Sequence, residues 1–387
     1  MSHEITASDL AFPSQARALI GEPANAVPTP ALLVDRAALG ANIAEMARRM
    51  EGLPAALRPH AKIHKSPEVG RMQLEAGAIG LTTATVWEAS AMIADGISRI
   101  LVCNQVVGPV KTEELARLAG LAEVIVLVES EFNVDQLADA ARGAGSEIGV
   151  LVELDVGLHR AGVRGIAPAL ALAQYVERAD GLRLRGVLGY EGHCMLEPDL
   201  DLRVRKAEEA NADLIELADE LDRAGLSTEI VAGGGLGTWD ITGANPRITE
   251  IHAGSYVFMD AFHSRLVPGF EPALSVLTTV TSRNGDIVIV DGGRKSIGLD
   301  RAIPELLGTR GSIHFVHGEY SLHEEHTILE LEDEPALGVG DTVRLMPGYA
   351  PTTVNLYDCF FVIEEGLVAD VWPVRARYGH ATVAVGR

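Results

Sequence analysis

The chain contains 387 residues, a length that predicts two or three domains with a sizeable apolar core. Its 32 basic and 54 acidic residues give a formal net charge of −22, and a field of that sign repels nucleic-acid phosphates and anionic membrane surfaces. Because 47% of the residues are apolar and 22% are charged, the composition indicates a compact globular protein and excludes a disordered or fibrous chain.

The N-terminal segment, residues 1–29, has neither the basic start nor the long apolar stretch of a signal peptide. No run in the chain approaches the roughly 18 apolar residues that a membrane helix needs. The three cysteines, Cys103, Cys194 and Cys359, are odd in number and far apart, as in proteins of a reducing compartment. We therefore predict a cytoplasmic protein with no membrane partner.

Eight short runs rich in β-branched residues follow one another along the chain, and a helical pattern separates most of them. Strands and helices that alternate eight times are typical of a (β/α)8 barrel, an α/β fold, which we place at residues 30–265. An earlier strand, residues 31–35, is instead a candidate to pair with the domain that follows. The eight predicted strands are residues 57–62, 79–84, 99–104, 123–128, 147–155, 184–190, 229–235 and 248–256.

The sequence changes character after residue 265. Apolar runs alternate around glycine and acidic turns there with little helical periodicity, which predicts a β-strand domain over residues 266–387. No linker is long enough to indicate independent domains. The runs are ALSVLTTVTS, GDIVIVDGG, HTILELED, TVRLMPG and CFFVIEEGLVADVWPV.

The first barrel strand delivers a lysine to the end of the barrel where reactive groups gather, the carboxyl ends of the strands. In the motif RPHAKIHKS, Lys62 lies between His60 and His64 and is followed by Lys65. Neighbouring cations and partial burial lower the pKa of a lysine toward that of a usable amine, and such an amine can form a Schiff base. The alternative is a solvated lysine cluster at a helix start.

Glycine-rich turns follow the seventh and eighth strands. The seventh ends in AGGGLGTWDITG and the eighth in HAGSY, where backbone amides can approach an anion closely. Phosphate sites of such barrels are frequently built from these two loops. Ordinary turn chemistry explains glycines equally well. The lysine across the barrel is what favours a phosphorylated cofactor or substrate.

Strands five and six bring further polar groups to the same rim. Strand five ends in ELDVGLHRAGV, which places Arg160 where a guanidinium can hold a phenolate or carboxylate. Strand six ends in GYEGHCM and supplies Tyr190, Glu191 and His193. An imidazole titrates near neutral pH, so His193 is a candidate general base, although each of these residues could also be a rim residue without a catalytic role.

Together these motifs resemble the fold-type III pyridoxal phosphate (PLP) enzymes, and among them the D-threonine aldolase and D-serine dehydratase family. The likeness runs from about residue 27 to residue 376. It implies that Lys62 binds the cofactor covalently, that Arg160 bonds its phenolic oxygen, that Tyr190 approaches its pyridine nitrogen and that His193 lies on the side of the substrate's β-hydroxyl. The other cofactor-binding residues that we predict are His60, Gly233, Gly234, Gly235, Gly254, Ser255 and Tyr256.

One segment departs from that family. Its members usually hold a divalent metal with a histidine and, two residues on, a cysteine or aspartate, just before a TxVN segment. Here the segment reads PGYAPTTVNLYD, with Tyr349 and Pro351 at the ligand positions. A neutral phenol and a proline cannot replace imidazole and thiolate, so we predict that no metal is bound there.

The absence of a metal affects the expected reaction. Hydroxide is a poor leaving group without a Lewis acid, whereas retro-aldol cleavage needs only removal of the β-hydroxyl proton, which His193 can accept. We therefore expect a lyase that cleaves a β-hydroxy-amino acid to glycine and an aldehyde, with Tyr349 as a further catalytic residue that positions the oxygen; the resemblance implies that the substrate is a β-hydroxy-D-amino acid. The alternatives are a racemase that uses Lys62 and Tyr349, a D-serine dehydratase-like ammonia-lyase, and a non-catalytic PLP-binding protein. The resemblance also implies a homodimer.

Overall fold

The computed structural model describes residues 16–308, 313–316, 318–331 and 337–377. Within these residues the chain forms two compact units. The barrel unit comprises residues 43–256, and the β unit comprises residues 16–42 together with the described part of 257–377. No helix in the described ranges is long and apolar enough to cross a bilayer.

The barrel unit contains eight parallel strands that alternate with helices. The strands are β2 Ala56–Leu57, β3 Leu81–Thr83, β4 Arg99–Gln105, β5 Glu123–Val128, β6 Ile148–Leu154, β7 Leu182–Gly189, β8 Ile230–Gly233 and β9 Glu250–Ile251. The helices are α1 Arg36–Met50, which begins in the β unit, α2 Pro67–Glu75, α3 Val86–Ala94, α4 Pro109–Ala119, α5 Glu131–Ala144, α6 Ile166–Glu177, α7 Leu200–Arg223 and α8 Trp239–Gly243.

The strands follow the order β2-β9-β8-β7-β6-β5-β4-β3, and the two ends of this order meet. A parallel bridge joins His60 to Thr82, and the amide of Thr82 donates to the carbonyl of Pro59 at 2.9 Å. The sheet is therefore a closed barrel. The predicted (β/α)8 fold with a following β-rich domain is confirmed.

Local sequence explains where the helices begin. The side chains of Thr85, Ser130 and Asp199 each accept a hydrogen bond from the amide three residues later, which satisfies one of the four unpaired N–H groups at a helix start. Gly145 ends α5 in the left-handed conformation, with φ of 64°, which glycine adopts without a side-chain penalty.

Aliphatic side chains fill the interior of the barrel. Because strands of a parallel barrel are covered on both faces, they read as continuous runs of Val, Ile and Leu. This interior cluster contains Leu101, Ile125, Leu127, Leu151, Leu188, Ile230 and Ala232, with Cys103 and Tyr190 packed against it. The interior of the barrel is therefore apolar, and the side chains of Cys103 and Tyr190 contact it.

The β unit contains one mixed sheet. Its strands are β1 Ala31–Asp35, β10 Leu274–Asn284, β11 Ile287–Val290, β12 Glu305–Leu307, β13 Ile313–Phe315, β14 Thr327–Leu331, β15 Thr342–Met346, β16 Cys359–Glu364 and β17 Leu367–Pro373, and a short helix, α9 Ala350–Val354, follows β15. Strand β1 pairs antiparallel with β10 and parallel with β16. The sheet of the β unit thus includes a strand from near the N-terminus, β1, between two strands from the C-terminal part of the chain.

The strand pattern predicted from the sequence differs from the structure at both ends of the barrel and in the β unit. The last barrel strand, expected at residues 248–256, covers only Glu250–Ile251, and a short 3-10 helix, Ser255–Val257, follows it. The first barrel strand, expected at residues 57–62, ends at Leu57, and a short 3-10 helix, Ala61–Ile63, follows it. Strands β12 and β13 were not predicted, because three-residue strands carry no readable alternation.

Candidate active site

The lysine motif forms a tight turn beyond the first barrel strand. His60 is the N-cap of the 3-10 helix that carries Lys62, and its Nδ1 accepts the Lys62 amide hydrogen bond at 3.4 Å. Burial, and then the nearby charges of Lys62 and His252, lower the pKa of the His60 imidazole well below its usual value. A neutral ring can accept this hydrogen bond, so His60 helps to hold the lysine segment in place.

The two lysines of the motif have different surroundings. Lys65 forms an ion pair with Glu88, whose side chain is 4% exposed. The pKa of Lys62, in contrast, is lowered by burial and by the nearby positive charge of Arg160. A lowered pKa leaves more of the amine unprotonated and nucleophilic at neutral pH. Lys62 is therefore the lysine suited to covalent chemistry, whereas the ammonium group of Lys65 is held in its ion pair with Glu88.

The turn after β9 packs directly on the lysine segment. An ideal Cβ built on Gly254 would lie 2.6 Å from the carbonyl oxygen of His60 and 3.0 Å from Cγ1 of Ile63. Only glycine fits this approach without a shift of backbone. Ser255 begins the short 3-10 helix that follows and is 6% exposed.

Tyr256, the last residue of the predicted phosphate motif, is almost completely buried. Its hydroxyl accepts a hydrogen bond from Nε2 of Gln73 at 2.8 Å, and burial raises the pKa of the phenol. Gln73 lies on α2, so the Tyr256 side chain anchors the turn to that helix. The phenol is thereby committed to the protein interior.

The glycine turn after β8 is held by its own chain. The amide of Gly234, a residue with φ of 74°, donates to Oε2 of Glu191 at 3.1 Å, and the amide of Gly235 donates to the Thr238 hydroxyl at 3.1 Å. Gly233 is the last residue of β8. The amide of Gly234 is thus paired with the loop after β7, and the amide of Gly235 is paired within the turn.

Arg160 lies on the loop after β6. Its guanidinium is 3.9 Å from Oε1 of Glu153 and stacks over the ring of Tyr190, with 5.5 Å from Cζ to the ring centroid. Burial raises the pKa of the Glu153 carboxyl. Asp155 organises the loop by accepting hydrogen bonds from two of its backbone amides. These contacts place a partly exposed cation at the rim.

Cys103 connects these groups. Its pKa is raised to about 12 by burial and by the charge of Glu153, while Lys62 and Arg160 act in the opposite direction. The thiol therefore stays neutral. Its pKa is affected by the charges of Lys62, Arg160 and Glu153, so all three side chains lie near it. Lys62 and Arg160 thus lie near the same thiol, together with Glu153. The sequence did not single out Cys103 or Glu153.

The loop after β7 carries Tyr190 and His193. The Tyr190 hydroxyl lies 3.7 Å from the Met195 sulfur, and Nε2 of His193 lies 3.4 Å from the thiol of Cys194. Nδ1 of His193 is buried and has no hydrogen-bond partner among the described residues. A ring nitrogen without a partner is available to a ligand.

A buried ion pair lies beside the lysine motif. Arg58 donates to both carboxylate oxygens of Glu250 at 3.0 to 3.2 Å, and His252 lies 3.3 Å from Oε1 of the same carboxylate. Burial acts to raise the pKa of Glu250, but the hydrogen bond from His252 and the charge of Arg58 outweigh it and leave the pKa at about 2. Glu250 is therefore ionised throughout the neutral range.

Tyr349 belongs to the β unit and precedes α9. Burial raises the pKa of its phenol, and its ring stacks on His263 with centroids 5.8 Å apart. Asp260 accepts hydrogen bonds from Nδ1 of His263 at 2.8 Å and from the amide of Ala350 at 2.9 Å. This network fixes the start of α9 and the tyrosine that precedes it.

The same segment offers a poor set of metal ligands. A neutral phenol binds zinc or manganese weakly, the amide of Ala350 is already bonded, and Pro351 has no side-chain donor. Across the described ranges, no group of three or more His, Cys, Asp or Glu side chains is arranged to hold a metal ion. The residues present do not fit the metal that the resemblance implies.

A lysine with a lowered pKa after the first strand of a (β/α)8 barrel, glycine turns after the last two strands and a following β domain are typical of the class of alanine racemase-like barrel proteins. The family model of the alanine racemase N-terminal domain matches residues 34–261. The model of a putative serine dehydratase domain matches residues 273–363. The two matches follow one another along the chain with a gap of eleven residues between them.

Individual relatives are similar along nearly the whole chain. A D-threonine aldolase of Arthrobacter sp is 35% identical over 97% of this chain and 99% of its own length. A 3-hydroxy-D-aspartate aldolase of Paracoccus denitrificans (strain Pd 1222) is 33% identical over 93% of this chain and 95% of its own. The crystal structure of D-threonine aldolase from Filomicrobium marinum superposes with a TM-score of 0.88 at 34% identity and covers 92% of this chain and 98% of that one. The chain therefore belongs to the D-threonine aldolase and D-serine dehydratase family, which confirms the resemblance drawn from its motifs.

Proposed function

We propose that this protein is a PLP-dependent lyase that cleaves a β-hydroxy-D-amino acid to glycine and an aldehyde. The observation that carries the proposal is the contrast between the two motif lysines. Lys62 is half-buried with a lowered pKa near Arg160, whereas Lys65 is paired with Glu88. The similarity to aldolases acting on D-threonine and 3-hydroxy-D-aspartate supports both the reaction and the D configuration.

The residues present fit the cofactor. Lys62 would bond to its aldehyde carbon, Arg160 would hold its phenolic oxygen, and the turns at Gly233–Gly235 and Gly254–Ser255 would surround its phosphate. Tyr190 would border the ring. The unpartnered Nδ1 of His193 is a further sign that a ligand completes the site. When bound, PLP would supply a sink for the electron pair released at the substrate's Cα.

The protein's own residues would carry out the proton transfers. His193 accepts the proton of the β-hydroxyl, the oxygen forms a carbonyl with Cβ, and the bond between Cα and Cβ breaks. The aldehyde would leave, Cα would take up a proton from solvent and His193 would release the proton that it accepted, so that glycine forms with no net change in protons. Because the segment at Tyr349 and Pro351 does not supply metal ligands, no step of this scheme uses a metal. Tyr349, which stands where the family has a metal ligand, would position the oxygen, and Tyr349→Phe tests this role.

Two lysine variants test the proposal. The wild-type protein should show the visible absorption of a lysine-bound cofactor and should release aldehyde from D-threonine. Lys62→Ala should lose both the band and the activity, while the matched Lys65→Ala should keep the band. An unchanged spectrum in Lys62→Ala would remove Lys62 from its role. Solvent deuterium at Cα with inverted chirality, and no aldehyde, would instead support the racemase.

We also propose a cytoplasmic homodimer. The resemblance supports the dimer, and the widely spaced cysteines support the compartment. Light scattering of the purified chain would measure its mass, and a monomer at micromolar concentration would contradict the assembly.

A further inference from the structure

Glu191 is a completely buried charged residue with an unusual set of partners. It follows β7 in the loop that also carries His193, and none of its side chain is exposed. Its carboxylate accepts hydrogen bonds from the amide of Gly234 at 3.1 Å, from the Thr238 hydroxyl at 2.8 Å and from the Thr242 hydroxyl. All three donors belong to the turn after β8 or to the helix that follows it.

These bonds fix one conformation of the turn. Thr238 donates to Glu191 and accepts from the amide of Gly235, so one hydroxyl links the carboxylate to the next residue of the turn. The amides of Leu236 and Gly237, in contrast, have no hydrogen-bond partner in the part of the chain that the structure describes. The turn therefore has two amides bound internally and the following two available.

Because Glu191 is buried, the conformation of the turn after β8 depends on its carboxylate. A buried carboxylate is stable only when donors surround it, and donors left without an acceptor carry a similar cost. Removal of the carboxylate would orphan the amide of Gly234 and two hydroxyls at once. The turn would then lose the hydrogen bonds that hold it in the conformation in which the amides of Leu236 and Gly237 are available.

We propose that Glu191 is a positioning residue for cofactor phosphate: by binding Gly234 and Thr238 it holds the glycine turn so that the amides of Leu236 and Gly237 are left for the phosphate. This inference rests on the proposed function, since it assumes a phosphorylated cofactor. Glu191 acts through the turn and does not itself contact the phosphate, because two anions repel each other.

Comparison of PLP with pyridoxal, which lacks the phosphate, tests the proposal on apoenzyme of the full chain. Glu191→Gln replaces one acceptor with a donor and should weaken PLP binding about tenfold or more, the effect expected of one lost buried hydrogen bond to a charged group. Its affinity for pyridoxal should stay at the wild-type value. Thr238→Val should behave likewise, and Thr238→Ser, which keeps the hydroxyl, should restore PLP affinity.

Glu197→Gln is the matched control. Glu197 lies on the same loop, but its carboxylate pairs with Lys206 at 2.6 Å and bonds to no residue of the glycine turn among the described residues, so this variant should bind PLP as the wild type does. Wild-type PLP affinity in Glu191→Gln would overturn the inference. An equal loss for PLP and pyridoxal would also overturn it, because that loss is not specific to the phosphate. If the wild type itself binds no PLP, the proposed function fails, and this inference fails with it.

Discussion

Gly254→Ala tests how closely the turn after β9 controls the reactive lysine. The added methyl carbon would lie 2.6 Å from the carbonyl oxygen of His60 and 3.1 Å from its Cβ. Packed atoms lie about 3.5 Å apart, so the shortfall at the oxygen is roughly 1 Å. The obstacle is backbone, which cannot rotate away as the end of a flexible side chain can.

The expected cost follows from the place of His60 in the chain. It caps the short helix that carries Lys62, so a shift of its peptide by about 1 Å moves the amine by a similar distance. A misplacement of about 1 Å costs on the order of a hundredfold in rate, or about 2.7 kcal/mol of transition-state stabilisation. Overpacking of a tight site costs about 1–3 kcal/mol of folding free energy, which lowers Tm by only a few degrees. Activity should therefore fall much further than stability.

The assay measures aldehyde release from D-threonine, the visible cofactor band and the Tm of each variant. Gly40→Ala is the control, since a Cβ at Gly40 in α1 would meet nothing within 4 Å and alanine favours a helix interior by about 0.5–1 kcal/mol. Gly40→Ala should therefore keep full activity. If Gly254→Ala also keeps wild-type kcat/KM and an unchanged band, the contact between this turn and the lysine segment does not control the site.

Three further predictions concern charge and metal. Lys65→Met should keep the cofactor band but lose about 3 kcal/mol in urea unfolding, because Glu88 is left buried without its partner; an unchanged midpoint would contradict a structural role. The pKa of Glu250 lies below its usual value, so its stabilisation is complete above about pH 4.5 and is lost as pH falls toward 2. Glu250→Gln should therefore be less stable at pH 7 and lose less stability than the wild type between pH 5 and 3, as measured by urea unfolding, and parallel curves would refute this assignment. Elemental analysis should find no stoichiometric zinc or manganese, and a chelator should leave turnover intact; inactivation by the chelator would show that the interpretation of Tyr349 and Pro351 is wrong.

The sequence predicted the barrel because its signals are local. Each strand is a short β-branched run that ends in a polar or glycine residue, and each helix shows its own periodicity, so the alternation is readable without knowledge of any contact. Lys62 was singled out for the same reason, because it follows an apolar strand in a short motif rich in histidine and lysine. The end of β2 at Leu57 was missed, because the turn that follows is imposed by packing of His60 against Gly254.

Residues whose roles depend on distant partners could not be predicted. Glu191 was visible as a rim residue, but its partners lie more than forty positions further along the chain. Cys103 had no motif, and only closure of the barrel brings it near Lys62 and Glu153. The pairing of Lys65 with Glu88 likewise joins two separate strand–helix units. Sequence patterns specify the elements, whereas these pairs arise from the way the elements meet.

The pairing of β2 with β9 affects the order in which the barrel folds. The first strand pairs with the last through only two residues each, Ala56 with Glu250 and Leu57 with Ile251. Contacts between segments so far apart in sequence form late, since the chain between them must first be ordered. The turn that contacts the lysine segment arrives with the last strand. A ribosome-bound chain without this strand would lack part of the vitamin pocket that we propose, so capture of the vitamin would mark the completion of folding.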